Sequence, residues 1–222
     1  MRRRAKVAKV LIVDDHPIVR EGLAQLIDQE DDLTVCGEAE GTRDALEAAE
    51  AARPDIAIVD IFLREASGIE LVKDLVVRFP GLGILVLSIH DESIYAERVL
   101  RAGARGYIMK QEATEEVVSA IRRVLAGGIY LSESMADRIL GKVFKGKCLA
   151  GTSPIERLSD RELEVFYLVG RGQGTRDVAE RLHLSMKTIE TYREHIKEKL
   201  NLKNATELLQ HAIQWVQGQQ PP

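Results

Sequence analysis

Three aspartates carry the most specific chemistry in this sequence. Asp14 and Asp15 stand side by side at the end of the apolar run "VLIVDD", and Asp60 closes a second such run, "DIAIVD". Two adjacent anions repel one another, so a pair placed at the end of a buried strand needs a compensating cation. Clustered carboxylate oxygens suit a hard divalent ion, and Mg2+ keeps several waters and commonly shares its shell with a phosphate. Ser88, ending "LVLS", and Lys110, ending "GYIMK", add a hydroxyl and an ammonium suited to the oxygens of a tetrahedral anion. Singly, each has an ordinary reading: an Asp after a strand caps a helix or turn, Ser88 is a loop hydroxyl, and Lys110 is a solvated charge. Together, at the ends of four different apolar runs, they describe a site that a phosphoryl group on Asp60 would satisfy.

The segments that must position these residues alternate in period. "KVLIVDD", "LTVCGEAE", "DIAIVDI", "GILVLSI" and "GYIMK" are short and rich in β-branched residues, as strands are. Between and after them, "IVREGLAQLIDQE", "TRDALEAAEAA", "GIELVKDLVVRF", "SIYAERVLRAGA" and "TEEVVSAIRRVLAGG" space their apolar residues by three and four, as helices do. Such alternation builds right-handed βαβ units and a parallel sheet covered on both faces. The expected fold class is α/β, a flavodoxin-like five-stranded parallel sheet of order 2-1-3-4-5 whose crevice lies between the carboxyl ends of strands 1 and 3. Asp14, Asp15 and Asp60 converge there.

After "GGIYLS" the pattern becomes helical only. A linker helix is expected over Ser132 to Phe144, and the glycines, small residues and proline of "KGKCLAGTSP" mark a joint. "LSDRELEVFYLVGRG" opens with Ser159 and Glu162 in capping-box spacing. In "TRDVAERLHLSMKTIETYREHIKEKLNL", Thr175 is the expected cap of one helix, Val178, Ala179 and Leu182 its buried face, "HLS" a turn, and Ser185 the cap of the next. Ile189, Tyr192, Ile196 and Leu200 then share one face, opposite Lys187, Glu190, Thr191, Glu194 and Glu198. Tyr192 and Trp215 read as packing residues rather than base-stacking ones. The expected division is 7–130 for the sheet domain, 131–157 for the linker helix and joint, and 158–216 for an all-α four-helix domain, with a disordered tail "QGQQPP".

Composition bounds the function. A chain of 222 residues, 45% hydrophobic and 30% charged, has the profile of a globular protein with room for two cores. A net charge of −4 argues against general nucleic-acid affinity while allowing a local basic surface. "MRRRAKVAKVLIV" imitates a signal peptide, but Asp14 and Asp15 cut the apolar run short, and no other run approaches membrane-spanning length. A cytoplasmic protein is expected. Cys36 and Cys148 have no metal-binding or redox spacing and read as reduced structural residues.

From about Val7 to Gly128 the chain resembles the receiver domain of two-component response regulators, through Asp14 and Asp15, Asp60, Ser88, Tyr107 and, three positions on, Lys110. The resemblance implies that Asp60 accepts phosphate from a sensor histidine kinase. It also implies that Asp14, Asp15 and Asp60, with the Phe62 carbonyl, surround Mg2+, that Ser88 and Lys110 bind the phosphoryl group, and that Tyr107 changes rotamer on activation. The chain departs from that family where "DIFLREASG" has Arg64 in place of the usual proline, followed by Glu65, and where Gln111 follows Lys110.

Leu158 to Trp215 resembles the LuxR/NarL-type helix-turn-helix DNA-binding domain, through "LSDRELEVFYLVGRG", "VAERLHLSMKTIETY" and "IKEKLNLKN". Such a motif places its second helix in the major groove. Arg176, Lys187, Thr188, Arg193, Lys197 and Lys199 would meet phosphates. Glu190, Thr191 and Glu194 would face bases, a Glu accepting from cytosine N4, although Glu194 and Glu198 equally suit a solvated face. The reading is a phosphorylation-activated transcriptional regulator that binds a double-stranded DNA operator and forms a homodimer on activation. Two rivals share its residues: a Mg2+-dependent phosphatase or phosphotransferase with Asp60 as nucleophile, and an orphan regulator that works without phosphate.

Overall fold

The structure is a computed structural model, and it describes residues 7–63, 67–89, 92–144, 154–182 and 184–217. Arg64, Glu65, His183, Cys148 and most of the "KGKCLAGTSP" joint lie outside the described residues, as does the tail from 218 on. Contacts divide the chain into two compact units, Met1–Ile139 and Leu140–Pro222.

In the first unit five strands alternate with helices: β1 (Ala8–Val13), α1 (Pro17–Asp28), β2 (Leu33–Ala39), α2 (Thr42–Ala52), β3 (Ile56–Val59), α3 (Gly68–Arg78), β4 (Gly83–Ser88), α4 (Glu92–Ala102), β5 (Gly106–Met109) and α5 (Ala113–Leu125). All pairings are parallel and the order is β2-β1-β3-β4-β5, the expected flavodoxin-like topology. Val10 to Val13 are at most 1% exposed, which accounts for an unbroken aliphatic run where a half-solvated strand would alternate. One core joins Val10, Ile12, Ile58 and Leu85 to Leu23 and Ile27 of α1 and to Val117 and Ile121 of α5. Leu11, Val13, Val59, Val86 and Tyr107 are buried on the opposite face, where a Cβ on Gly37 would meet both Leu11 and Ala48 of α2.

Register sets where the strand ends fall. Val13 pairs with Val59, and the Asp60 N–H donates to the Val13 carbonyl at 2.8 Å. The next residues after β1 and β3 are therefore neighbours. Likewise the Lys110 N–H donates to the Ser88 carbonyl at 2.7 Å, pairing the ends of β4 and β5. Beyond α5, Tyr130 bridges to Gly106 and accepts from the Tyr107 N–H at 3.0 Å. Ser132 then caps α6 (Glu133–Phe144), its hydroxyl accepting from the Met135 N–H at 3.1 Å.

The second unit holds a 3-10 turn (Pro154–Arg157) and α7 (Asp160–Gly170), α8 (Thr175–Arg181), α9 (Met186–Leu200) and α10 (Ala205–Gln217). The capping box is formed: Ser159 Oγ accepts from the Glu162 N–H and Glu162 Oε2 from the Ser159 N–H. Ser185 caps α9, accepting from the Thr188 N–H at 3.1 Å. The expected cap Thr175 is corrected to Gly174, because the Asp177 carboxylate reaches back to the Gly174 N–H at 3.1 Å and starts the helix one residue earlier. Val178, Ala179, Leu182, Ile189, Ile196 and Leu200 are buried. Tyr192 is half-buried, as is Trp215, whose ring packs 5.5 Å from that of Phe166.

Candidate functional site

Parallel strands deliver their ends to one edge of the sheet, and Asp14, Asp15, Asp60, Ser88 and Lys110 all lie there. Each is buried except Lys110, which is half-buried. Lys110 Nζ lies 2.5 Å from Asp14 Oδ2 and 2.7 Å from Asp60 Oδ2, so one ammonium is shared between carboxylates from two strand ends. The Phe62 N–H donates to Asp60 Oδ1 at 3.1 Å, fixing the other oxygen of that side chain. Burial pushes Asp60 up to about 6, Lys110 opposing the rise and Asp14 adding to it. Burial works against the Lys110 ammonium, but Asp60 and Asp14 outweigh it and hold the group above its ordinary value.

Three residues that the sequence reading left unassigned complete the setting. His16 Nδ1 lies 2.6 Å from Asp15 Oδ1 and 3.2 Å from Asp14 Oδ1, with its side chain 65% exposed. Its backbone N–H also donates to Asp14 Oδ1 at 2.9 Å. Arg20, on the buried side of α1, donates to the Asp14 carbonyl at 2.7 Å. Gly68 opens α3 with its N–H bonded to the Ile61 carbonyl at 2.7 Å. A Cβ there would stand 2.1 Å from the Asp60 carbonyl oxygen, so only glycine lets α3 approach the loop after Asp60. The sequence does signal Arg20: it falls three and seven positions before Leu23 and Ile27, on the apolar stripe. Gly68 carries no such mark, since Ser-Gly reads as an ordinary turn before a helix.

Asp14, Asp15, Asp60 and His16 offer ligand atoms all within 4.8 Å of one another. Three carboxylates in that space are a donor set that could bind a metal ion, and their oxygens fit a hard cation. Tyr107 is 1% exposed within β5, which packs against α4. Phe62 pairs with Ser67 across the loop and its ring meets Tyr95 of α4 edge-on at 5.5 Å. A groove of about 750 Å3, lined by Arg53, Asp55, Arg78, Gly83 and Arg105 among others, opens at the opposite edge of the sheet and shares no residue with the cluster.

In the helical unit, Lys187, Glu190, Thr191, Glu194 and Glu198 are exposed along one face of α9. Most of the cations expected at phosphates already have partners. Lys199 donates to Glu162 at 2.6 Å, bracing α9 against α7, and Arg193 donates to Thr175 Oγ1 at 3.1 Å, bracing it against α8. Lys197 pairs with Glu194 at 2.9 Å and Arg176 with Glu180 at 3.0 Å. Lys187 has no ion pair among the described residues, and Thr188 bonds to Ser185 beside the cap. The Thr191 hydroxyl donates to the Lys187 carbonyl at 3.0 Å.

A parallel five-stranded unit with an acidic edge, joined to a capped helix-turn-helix, defines a response regulator, and the chain belongs to that family. The response regulator receiver domain matches residues 10–122, and the luxR family of bacterial regulatory proteins matches residues 156–212. Among similar proteins, the oxygen regulatory protein NreC of Staphylococcus carnosus is 35% identical, covering 92% of this chain and 96% of that relative. The response regulator GacA of Pseudomonas aeruginosa is 33% identical, covering 92% of this chain and 95% of that relative. Salmonella typhimurium RcsB superposes with a TM-score of 0.64 at 27% identity, covering 94% of this chain and 98% of that one. A further RcsB structure, bound to promoter P1flhDC in the presence of phosphomimetic BeF3−, gives 0.62 at 28% identity, over 93% of this chain and 98% of that one. This chain is thus a response regulator with a DNA-binding LuxR-type domain, of the kind that regulates transcription in two-component systems. No described helix is long and apolar enough to cross a membrane.

Proposed function

We propose that this regulator is switched by phosphorylation of Asp60 by a sensor histidine kinase and then binds a double-stranded DNA operator as a homodimer. The observation that carries the reading is the shared ammonium, Lys110 lying within 2.7 Å of carboxylates from two strand ends. An ammonium held beside a buried carboxylate is placed to receive the oxygens of a phosphoryl group. An Asp60 oxygen attacks phosphorus in line, the P–N bond of the donor phosphohistidine breaks, and the departing imidazole takes up a proton. Asp14, Asp15 and Asp60, with the Phe62 carbonyl, would hold Mg2+, which offsets charge on the incoming phosphoryl group. Lys110 and the Ser88 hydroxyl then bind the new phosphoryl oxygens.

Ser88 ends β4, which precedes α4 in the chain, and Tyr107 is buried in β5, which packs against α4. A shift of Ser88 toward the phosphoryl group would therefore free space at Tyr107 and alter the α4–β5 surface. In the helical unit, Glu190 and Thr191 face bases, while Lys187, with Thr188 and Arg176, meets phosphates. Arg176, Arg193, Lys197 and Lys199 reach phosphates only by leaving the partners described above. The proposed division of labour keeps 7–130 as receiver, 131–157 as connection and 158–216 as DNA reader. The known relation of RcsB to a promoter supports the DNA step by analogy.

The test is operator affinity. DNA selected from a random pool should bind more tightly, and the protein should sediment as a dimer, after incubation with Mg2+ and a small acyl phosphate. Equal affinity and equal sedimentation with and without the donor contradict the proposal.

A further inference from the structure

Arg20 is an arginine on the core-facing side of α1, only 9% exposed. Its Nη1 donates to the Asp14 carbonyl at 2.7 Å and its Nη2 to Glu40 Oε1 at 2.6 Å, with Nε 3.4 Å from Glu38 Oε2. One planar fork thus ties the turn after β1 to the end of β2. Asp14 is consequently held at each of its polar groups by a different element. Its N–H donates to the Ala39 carbonyl at 3.1 Å, its carbonyl accepts from Arg20, and its carboxylate meets Lys110 on one oxygen and the His16 N–H on the other.

We infer that Arg20 is a positioning residue for the acidic site: it fixes the backbone that carries Asp14 and Asp15, so that their carboxylates hold the spacing a divalent cation uses. The inference rests on the reading of this cluster as a Mg2+-assisted phosphoryl site. Residues that orient first ligands without touching the ion commonly govern metal affinity. A rigid fork with two separate acceptors is a task that lysine does poorly.

Two roles are separable by whether a substitution that keeps the charge changes metal affinity. If Arg20 acted only through its charge, it would oppose an incoming cation, and removing it would tighten metal binding. If it acts by positioning, loss of the fork weakens binding even when the charge is kept.

The experiment titrates the full-length chain with Mn2+, following free Mn2+ by electron paramagnetic resonance, alongside urea unfolding. Arg20→Lys is expected to bind Mn2+ about tenfold more weakly, with acyl phosphate labelling restored at high Mg2+. Glu40→Gln keeps Arg20 but removes one anchor whose side chain is 59% exposed, and a smaller loss in the same direction is expected. Unchanged or tighter Mn2+ binding by folded Arg20→Lys, with only a lower urea midpoint, overturns the inference. Should Arg20→Lys fail to fold, unchanged binding by Glu40→Gln overturns it instead. A wild-type chain that binds no Mn2+ and takes no label overturns the underlying phosphoryl-site reading, a result distinct from equal affinities in wild type and variants.

Discussion

Lys110 Nζ and Asp60 Oδ2 lie 2.7 Å apart although 50 residues separate them in the chain. Their meeting follows from strand order alone: β3 and β5 flank β4, and each places its first residue beyond the strand at the same edge. The same ammonium also meets Asp14, so part of the charge accumulated by adjacent aspartates is compensated by the protein itself.

Replacing Lys110 removes that compensation and a donor for the phosphoryl oxygens. Lys110→Met should label from a small acyl phosphate about 10²-fold more slowly, the scale of losing one preorganised donor to developing charge. Circular dichroism first establishes that the variant is folded, and an undiminished labelling rate counts against the role of Lys110.

Gly68 offers a steric test of the same loop. With a Cβ 2.1 Å from the Asp60 carbonyl oxygen, Gly68→Ala must displace either α3 or the acceptor loop. A stability loss of about 1–3 kcal/mol is expected from overpacking, together with slower labelling. An unshifted urea midpoint would show that the loop yields freely.

The helical unit has its own charge pair, a buried carboxylate met by an exposed lysine. Glu162 is 3% exposed. Burial alone would raise its pKa, but bonds from Lys199 and from the Ser159 N–H outweigh this and leave it below the usual carboxylate value. A depressed carboxylate contributes stability above its unfolded value, near 4.3, and loses it as pH falls through the folded value. Lys199→Met should therefore lower stability by about 1–3 kcal/mol at pH 7, and the difference from wild type should shrink below pH 4. Urea unfolding at both pH values measures this, and a difference that persists undiminished in acid assigns the loss to something other than Glu162.

The outward face of α9 distinguishes base from phosphate contacts. Glu190→Ala should relax preference at one position of each half-site, a discrimination of about 1–3 kcal/mol. Lys187→Ala should weaken all sequences alike and flatten the salt dependence. Selection from a random DNA pool, with folding checked by circular dichroism, separates the two. An unchanged motif for intact Glu190→Ala would leave Glu190 a solvated side chain, with specificity carried by Thr191 or by DNA shape.

Most of this architecture is legible in the sequence because two periods alternate without ambiguity. Val10 to Val13 and Ile56 to Val59 are continuous aliphatic runs, and the helices between them carry clear three- and four-residue spacing. The acidic edge is legible for the same reason, since parallel strands must end together. Less legible are contacts that depend on side-chain reach. Arg20 is visible only as a charge on an apolar stripe, and its partners Asp14 and Glu40 are brought together by β1–β2 register. The cations of α9 look alike in sequence, yet Lys199 and Arg193 turn toward α7 and α8 while Lys187 does not. Thr175 and Gly174 are separated as caps only by the carboxylate of Asp177.

The central claim is that Asp60 carries the switch. Intact-protein and peptide mass spectrometry after incubation with Mg2+ and a small acyl phosphate measures it most directly. The account predicts one base- and hydroxylamine-labile phosphoryl group on the peptide containing Asp60, absent from a folded Asp60→Asn protein and from samples treated with a chelator. Undiminished labelling of folded Asp60→Asn, or labelling of wild type elsewhere in the chain, would contradict it.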